Sequence, residues 1–373
     1  MQKEAKKPVN ATIEGTKKFT ERFPDISKNH FRTAQDLKLS SIGIGTYLGN
    51  WDESTDENYK NAVTKYVESG GNLIDTAANY RFQRSERSIG AALKILFEND
   101  FSREEIFVCT KGGYLPFENE PPSDVRKYFE DNFVKPGIAS FDDLVGGSHC
   151  MTPDYLQSQI DQSLENMKLD ALDLFYIHNP ESQSGAIDKY TFEARIGKAF
   201  ERLEENRAHG KINFYGIATW NGFRVPPDEP SYHSLERFDG IAKQVGGERH
   251  GFKFIQLPYN LAMPEAYLLK NQAVQGKVYS PIEAAQELGI SVICSASILQ
   301  GKLAHSIPFN IRENLGNPTT DAMASIQFVR STPGVTTALV GMSNENHVIE
   351  NMKLAETSPV SEEQFQRLFA GEK

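Results

Sequence analysis

The chain has 373 residues, of which 39% are hydrophobic and 24% are charged, and its formal net charge is -10. This length is enough for two average domains or for one large α/β barrel, and the composition excludes a globally disordered chain. The excess of acidic residues argues against non-specific binding to nucleic acid or to an anionic membrane, because both require a basic surface.

The cysteines and the apolar segments indicate the cellular compartment of the protein and whether it binds a metal ion or a membrane. Cys109, Cys150 and Cys294 are too scattered in the sequence to form a disulfide framework or a metal cluster. The first residues lack the apolar core of a signal peptide, and no apolar stretch reaches the roughly 20 residues of a membrane helix. We therefore expect a cytoplasmic protein that binds neither a metal ion nor a membrane.

The pattern of apolar residues changes near residue 31. Residues 1–30 are polar without a sustained period, and we expect them to form an extension that precedes a folded domain spanning residues 31–373. Within that domain, eight short apolar runs alternate with longer segments. Continuous apolar runs are typical of parallel strands that are buried on both faces of the sheet. The predicted strands are Ile42–Thr46, Asn72–Asp75, Ile106–Lys111, Leu172–His178, Ile212–Thr219, Phe252–Leu257, Ile290–Ser295 and Val335–Val340.

The segments between the predicted strands have the spacing of amphipathic helices. After the second strand, Ile89, Ala92, Leu93 and Leu96 repeat at i, i+3, i+4 and i+7, which places them on one helix face. Before the seventh strand, the segment Ser280–Glu283 has the sequence of a capping box that begins a helix. Strands and helices are therefore predicted to alternate along the chain.

Two α/β architectures fit this alternation: a (β/α)8 TIM barrel and an open, doubly wound sheet. The segment Gly43–Gly49 is similar to the glycine motif of dinucleotide-binding open sheets, but it leads into the segment Asn50–Asp52 and not directly into a helix. Eight strands and a length of 373 residues favour the barrel with insertions.

Three long loops follow predicted strands, at residues 112–151, 221–232 and 258–279. In a TIM barrel these loops lie on the C-terminal rim, where active sites are built. Long loops in compact domains are usually functional or disordered. The first loop contains several prolines and aromatic residues, so we expect it to form a partly ordered cap over the rim.

Four polar residues are predicted to meet on that rim. Asp75, Lys111 and His178 end the second, third and fourth predicted strands, and Tyr80 lies five residues beyond Asp75. Taken singly, each has an ordinary structural explanation, as a helix cap, a solvated charge, a buried histidine or a packed ring. Their shared position at the C-terminal ends of successive strands makes them a candidate catalytic group.

These residue types suit the reduction of a carbonyl group. The carbonyl oxygen becomes negative during reduction and needs a proton donor and a hydrogen-bond partner. Tyrosine has an ordinary pKa of about 10, which a neighbouring ammonium group lowers. Tyr80 is therefore predicted to be the general acid, Lys111 to lower its pKa, Asp75 to hold Lys111, and His178 to orient the carbonyl. A hydride source is required, which implies a nicotinamide coenzyme.

The sequence around the four residues resembles the aldo-keto reductase family. The segments Leu73–Tyr80 and Ser85–Gly90 are similar to the family's sequence around its catalytic aspartate and tyrosine, and Cys109–Lys111 and Asp173–His178 are similar to its strand ends that carry lysine and histidine. The segment Phe31–Ser41 resembles a hairpin that closes the N-terminal end of the family's barrel. The resemblance runs from about residue 31 to 356 and implies a small-molecule carbonyl or alcohol substrate.

The resemblance also implies a set of coenzyme contacts. Thr219 and Gln256 match positions that hold the nicotinamide carboxamide, and Ser295 stands where the family has an aromatic residue that stacks on nicotinamide. The segment Ser297–Leu303 resembles a pyrophosphate-binding loop. The implied coenzyme-binding residues are Thr219, Gln256, Ser295, Ser297, Leu299, Gly301, Lys302, Gly341, His347, Glu350 and Asn351.

Two alternatives stay open at this point. The resemblance implies NADP(H), but Gly341 and His347 replace the basic residues that commonly bind the 2′-phosphate, so NAD(H) is an alternative coenzyme. The resemblance extends to potassium-channel beta subunits, which makes a nucleotide-sensing barrel with a protein partner an alternative function. The presence of all four candidate catalytic residues favours the enzyme.

Overall fold

The computed structural model describes residues 9–369, in which eight parallel strands form a closed barrel. Each strand pairs with the next in chain order, and the last pairs with the first. The predicted TIM barrel is therefore confirmed, and the open sheet is excluded. The strands are β1 (Ile42–Gly45), β2 (Leu73–Asp75), β3 (Phe107–Gly112), β4 (Leu172–His178), β5 (Ile212–Ala218), β6 (Phe252–Pro258), β7 (Ser291–Ser295) and β8 (Val335–Gly341).

A helix follows each strand and packs on the outside of the barrel. The apolar faces of these helices and the outward-facing strand residues form the larger apolar core. In the described part of the chain, no helix is long and apolar enough to cross a lipid bilayer. The helices are α1 (Glu53–Glu68), α2 (Arg84–Glu98), α3 (Pro153–Met167), α4 (Lys189–Ala208), α5 (Leu235–Gly246), α6 (Pro281–Glu287), α7 (Asp321–Ser331) and α8 (Glu345–Met352).

A hairpin closes the N-terminal end of the barrel, as the sequence predicted. Its strands are Phe31–Ala34 and Leu37–Ser40, and the two residues between them, Gln35 and Asp36, both have positive φ angles, 49° and 67°. A two-residue turn of this kind matches the twist of the paired strands. Leu37 and Leu39 point from the hairpin into a second apolar cluster inside the barrel.

The segment before the hairpin differs from the expected polar extension, of which residues 1–8 lie outside the described part of the chain. Residues Ile13–Glu21 form a helix that packs on the barrel with Phe19 fully buried. The buried face otherwise consists of Gly15 and Thr16, so the sequence contains no apolar stripe that would reveal the helix. The backbone N–H of Ala11 donates a 2.5 Å hydrogen bond to the buried carboxylate of Asp173, which ties the segment to β4.

The long loops on the C-terminal rim contain regular structure. Loop 112–151 includes a helix at Val125–Phe129 that continues as a π-helical turn to Val134, and the loop packs around an apolar cluster of its own. The loop is therefore folded around this cluster, and its residue Tyr114 lines the cavity described below. Loop 258–279 contains a short hairpin with strands Gln272–Val274 and Lys277–Tyr279.

Candidate active site

A cavity of about 540 Å³ opens at the C-terminal ends of the barrel strands. Side chains and backbone from seven of the eight strand ends contribute to its wall, which is the arrangement expected of a barrel enzyme. Lys111, the fourth residue of the predicted group, lies beneath the wall with 1% of its surface exposed. The lining residues are Gly45, Thr46, Tyr47, Leu48, Asp75, Asn79, Tyr80, Tyr114, His178, Asn179, Ala218, Thr219, Trp220, Gln256, Ser295, Ala296, Ser297, Ile298, Gln300, Leu339, Val340 and Gly341.

A buried ion pair lies under the floor of the cavity. Nζ of Lys111, in β3, is 2.5 Å from Oδ1 of Asp75, at the end of β2, and donates a second hydrogen bond of 2.7 Å to the carbonyl oxygen of Thr76. Burial alone would lower the pKa of Lys111, but the charge of Asp75, its hydrogen bond to the ammonium group and the nearby Tyr80 together raise that pKa. Lys111 therefore carries a proton and a positive charge at neutral pH.

The second carboxylate oxygen of Asp75 is occupied by an amide. Nε2 of Gln256, from β6 on the opposite side of the barrel, donates a 2.8 Å hydrogen bond to Oδ2 of Asp75. Both oxygens of the carboxylate therefore accept hydrogen bonds, as a buried charge requires. The carboxylate is held in one orientation, and that orientation fixes the position of the Lys111 ammonium group.

Tyr80 lies directly beside the ion pair. Nζ of Lys111 is 5.0 Å from the centre of the Tyr80 ring, and the ring is partly exposed to the cavity. Enclosure by protein raises the pKa of Tyr80, the nearby Lys111 lowers it, and the balance is a raised value. Lys111 thus acts in the predicted direction, but burial is the larger effect, so Tyr80 keeps its proton at neutral pH.

His178 faces the same space from the end of β4. Its ring centre is 5.8 Å from that of Tyr80, with the two planes at 75°. Nδ1 of the His178 ring is buried and has no hydrogen-bond partner in the described part of the chain. Burial, followed by the positive charge of Lys111, places the pKa of His178 well below its ordinary value. The ring is therefore a neutral imidazole with hydrogen-bonding capacity left for a ligand.

The structure thus brings the four predicted residues together at one point of the rim. A protonated phenol and a neutral imidazole face a common space, and a fixed cation lies behind the phenol. This group can donate a proton to an oxygen atom and hold that oxygen with a second hydrogen bond.

The comparison with known proteins agrees with this geometry. Residues 41–322, which include all four of these side chains, match the model of the aldo/keto reductase family. The chain belongs to the aldo/keto reductase family. Enzymes of this family are NAD(P)-dependent oxidoreductases, so the predicted family and enzyme class are confirmed.

Individual relatives of this aldo/keto reductase are distant. A D-threo-aldose 1-dehydrogenase from a Pseudomonas species is 28% identical over 190 residues, which is 50% of this chain and 52% of that protein. The chain thus aligns with only about half of that relative's length.

Solved structures show the same fold over nearly the whole chain. An aldo-keto reductase from Bacillus halodurans in its holo form matches with a TM-score of 0.61 and 21% identity, covering 92% of this chain and 96% of its own. An aldo/keto reductase from Klebsiella pneumoniae in complex with NADP and acetate matches with a TM-score of 0.59 and 18% identity, covering 93% and 97%.

The residues that the family resemblance implies as coenzyme contacts fall into two groups. Five of them line the cavity: Thr219, Gln256, Ser295, Ser297 and Gly341. The others lie outside its wall, on the turn after β7 or on α8, and comprise Leu299, Gly301, Lys302, His347, Glu350 and Asn351.

Two observations fit a nucleotide that extends from the cavity towards α8. Ile298 and Gln300 line the cavity edge and flank Leu299 in the turn after β7, so the wall continues into the predicted pyrophosphate loop. In α8, Oδ1 of Asn351 is buried without a hydrogen-bond partner in the described part of the chain. A buried amide oxygen without a partner is costly and marks a position where a ligand donor would be favourable.

Sequence reasoning missed several residues of the cavity wall. Asn179 and Trp220 directly follow the predicted residues His178 and Thr219, so their adjacency to those strand ends was an available signal. Tyr114 lies three residues beyond Lys111 in the long loop, and the chain path that turns it into the cavity is not encoded in a local motif.

Glu181 is a further residue that the sequence did not indicate. Oε1 of its side chain accepts hydrogen bonds from the backbone N–H groups of Trp220 and Asn221, at 2.7 and 3.0 Å. Burial alone would raise the pKa of Glu181, but the nearby His233 and these backbone donors lower it to about 2. The charged carboxylate therefore holds the loop after β5, and with it Trp220, at the cavity mouth.

Proposed function

We propose that this protein reduces an uncharged aldehyde or ketone with a nicotinamide coenzyme, and that it catalyses the reverse oxidation of the alcohol. The observation that carries the proposal is the protonated Tyr80 ring between the buried Lys111–Asp75 ion pair and the neutral ring of His178. A proton donor and a second hydrogen-bond donor at one point are what a carbonyl oxygen requires when it becomes negative.

Each of the four side chains has a defined part in the proposed reaction. Tyr80 donates its phenolic proton to the carbonyl oxygen as negative charge develops there. Lys111 stabilises the phenolate that results, because its ammonium group lies 5.0 Å from the centre of the Tyr80 ring. Asp75 keeps the ammonium group in place, and the neutral imidazole of His178 donates a hydrogen bond that orients the carbonyl.

The coenzyme supplies the hydride equivalent of this reduction when it is bound. We assign its nicotinamide end to the cavity wall at Thr219, Gln256 and Ser295, and its adenosine end to α8 near Glu350 and Asn351. The Klebsiella pneumoniae relative, which was solved with NADP, supports a nicotinamide coenzyme of this kind. We propose NADPH as the preferred form, with NADH as the alternative because no basic pair occupies positions 341 and 347.

The character of the cavity wall supports an uncharged substrate. Among the described residues that line the cavity, none is a lysine or an arginine, so a carboxylate or phosphate on the substrate would have no cationic partner there. Three aromatic residues besides Tyr80 line the cavity, namely Tyr47, Tyr114 and Trp220. Their faces suit an aromatic or sugar ring better than an anionic group.

A purely regulatory barrel would bind the nucleotide without turnover. Such a protein has no use for a buried ion pair beneath a tyrosine, because a buried pair contributes little or nothing to stability compared with apolar residues of similar size. We therefore propose the enzyme and not the sensor.

Binding and turnover of the purified protein test the proposal. Trp220 lies on the cavity wall, so tryptophan fluorescence should report titration with NADPH and with NADH. A panel of benzaldehyde, 4-carboxybenzaldehyde and an aldose then tests turnover, with Tyr80→Phe as the matched variant. We expect both proteins to bind the same coenzyme, but only the wild type to oxidise it, and to do so fastest with a neutral carbonyl.

Three outcomes would contradict parts of this proposal. Failure to bind either nucleotide would exclude a nicotinamide-dependent reaction. Binding without turnover of any carbonyl would favour the sensor. Equal turnover by wild type and Tyr80→Phe would exclude Tyr80 as the general acid.

A further inference from the structure

The long loop after β3 places a buried histidine against the end of β4. His149 is fully buried, and its Nε2 lies 2.7 Å from the backbone carbonyl oxygen of His178. His149 thus contacts the backbone of a proposed catalytic residue from the long loop after β3. The contact joins two segments that are 29 residues apart in the sequence.

The hydrogen bonds around His149 determine which ring nitrogen carries the proton. Nη1 of Arg195 donates to Oε1 of Gln183 at 2.9 Å, which fixes the orientation of the Gln183 amide. Nε2 of Gln183 then faces Nδ1 of His149 at 3.0 Å and donates to it. In a neutral ring Nε2 therefore carries the hydrogen, and it donates to the carbonyl oxygen of His178.

The peptide bond that receives this hydrogen bond is held on both sides. Its carbonyl oxygen accepts from His149, and its N–H, which belongs to Asn179, donates a 2.6 Å hydrogen bond to the carbonyl oxygen of Ala218 in β5. Asn179 has a φ angle of 45°, an uncommon left-handed conformation for a residue other than glycine. Without the bond from His149, this peptide bond would lose one of its two hydrogen bonds.

Close packing leaves little space for the histidine to move. Gly113 has a φ angle of 141°, and a Cβ atom at that position would lie 2.7 Å from Nε2 of His149 and 3.1 Å from the carbonyl oxygen of His178. The ring of Tyr114 meets both histidine rings edge-on, at 5.1 and 5.2 Å between centres. The two histidines therefore share a tightly packed unit with the first residues of the long loop.

We propose that His149 is a positioning residue, which holds the end of β4 so that the His178 ring meets the substrate carbonyl. This role rests on the proposed function, because it presumes that His178 orients the carbonyl. His149 itself is buried behind the strand end and does not line the cavity, so it acts through His178 and has no contact with the substrate. Displacement of a positioning group by about 1 Å can cost up to about 100-fold in rate.

The test compares three variants near His178 with a matched variant at the other end of the barrel. His149→Ala removes the donor, and His149→Gln keeps an N–H donor at nearly the same reach. Gln183→Met removes the group that fixes the His149 proton. His30→Ala is the control, because His30 is equally buried and its Nε2 likewise contacts a backbone carbonyl, that of Gly70, at 3.1 Å.

Steady-state kinetics and nucleotide binding are measured for all four variants and for Tyr80→Phe. We expect His149→Ala to lower kcat by about 10-fold or more, with the dissociation constant of the coenzyme unchanged within about twofold. His149→Gln should restore most of the kcat, and Gln183→Met should lower it by a smaller factor than His149→Ala. His30→Ala should lower the melting temperature to a similar extent but leave kcat unchanged.

The outcomes separate this role from the proposed function. If the wild type shows turnover that depends on Tyr80 and His149→Ala has an unchanged kcat, the positioning role is overturned. The proposed function would still stand. An equal fall of kcat in His30→Ala would also overturn it, because the effect would then be general destabilisation. Absence of turnover in the wild type would overturn the proposed function first. If His149→Ala fails to fold, Gln183→Met decides: a lowered kcat with unchanged coenzyme binding supports the positioning role, and an unchanged kcat overturns it.

Discussion

Nζ of Lys111 lies 2.5 Å from Oδ1 of Asp75, and both side chains are almost completely buried under the cavity floor. Removing two charges from water costs several kcal/mol per ion, and apolar residues of similar volume are often at least as stabilising. The pair is therefore poorly explained by stability. Its place beneath Tyr80 gives it a chemical purpose, because a fixed cation stabilises the phenolate that a proton transfer would leave.

Replacement of one member of this pair should affect stability and turnover together. In Lys111→Met, the carboxylate of Asp75 is left buried without its cation, so we expect the free energy of unfolding to fall by about 3–5 kcal/mol. Turnover should fall at least about 100-fold, because Tyr80 loses the charge that stabilises its phenolate. Urea unfolding and steady-state kinetics measure the two effects.

The double variant Lys111→Met/Asp75→Leu separates the two effects. It should recover most of the lost free energy of unfolding, because neither charge remains, but it should stay inactive. A double variant that regains turnover would show that the ion pair has no chemical role.

The barrel could be predicted from the sequence because its strands are mostly apolar runs, and six of the eight predicted strands end in a polar residue. All eight predicted strands agree with the structure to within one residue at each end. The helix at Ile13–Glu21 was missed for a physical reason. It is held by the close approach of Gly15 to the carbonyl of Glu104 and by Phe19, not by an apolar stripe, and such contacts are visible only after folding.

The candidate site was predictable where residues lie at strand ends and unpredictable where they come from loops. Asp75, Lys111 and His178 follow from the strand pattern, because parallel strands in a barrel end on one rim. Tyr114 and His149 come from the long loop after β3, whose path depends on an apolar cluster within the loop. The contact between Gln256 and Asp75 crosses the barrel, so no local sequence signal could indicate it.

The turn after Tyr80 should respond differently to glycine and to alanine. Three consecutive residues, Arg81, Phe82 and Gln83, have positive φ angles of 48°, 56° and 70°. Gln83→Gly and Gln83→Ala both lose the 2.9 Å hydrogen bond to the carbonyl of Pro116, but only glycine adopts this conformation without steric cost. We expect the glycine variant to be more stable than the alanine variant by about 1 kcal/mol in urea unfolding. Equal stability would indicate that the turn relaxes when the side chain is removed.

The two directions of the proposed reaction should differ in their dependence on pH. Enclosure raises the pKa of Tyr80, so the phenol stays protonated through neutral pH and carbonyl reduction should be independent of pH between about 6 and 9. Alcohol oxidation needs the deprotonated form, so its kcat should rise with pH, by up to about tenfold per unit. Measurement of kcat in both directions at constant ionic strength tests this. A flat profile for oxidation would argue against Tyr80 as the proton carrier.

The stability of the protein in acid should depend on His149. Burial lowers the pKa of His149 to about 4, whereas the unfolded chain keeps an ordinary value near 6.5. Between these two values the unfolded state binds a proton that the folded state does not, so stability is lost as the pH falls from about 6.5 towards 4. For this residue the loss should amount to about 3 kcal/mol.

A comparison with His149→Gln isolates this contribution, because glutamine keeps an N–H donor but does not titrate. His30, whose pKa burial lowers to about 3, is present in both proteins and cancels in the comparison. We expect the free energy of unfolding in urea to fall more steeply with acidification in the wild type than in the variant. Parallel curves would mean that His149 keeps its ordinary pKa in the folded state, and burial would then not lower that pKa.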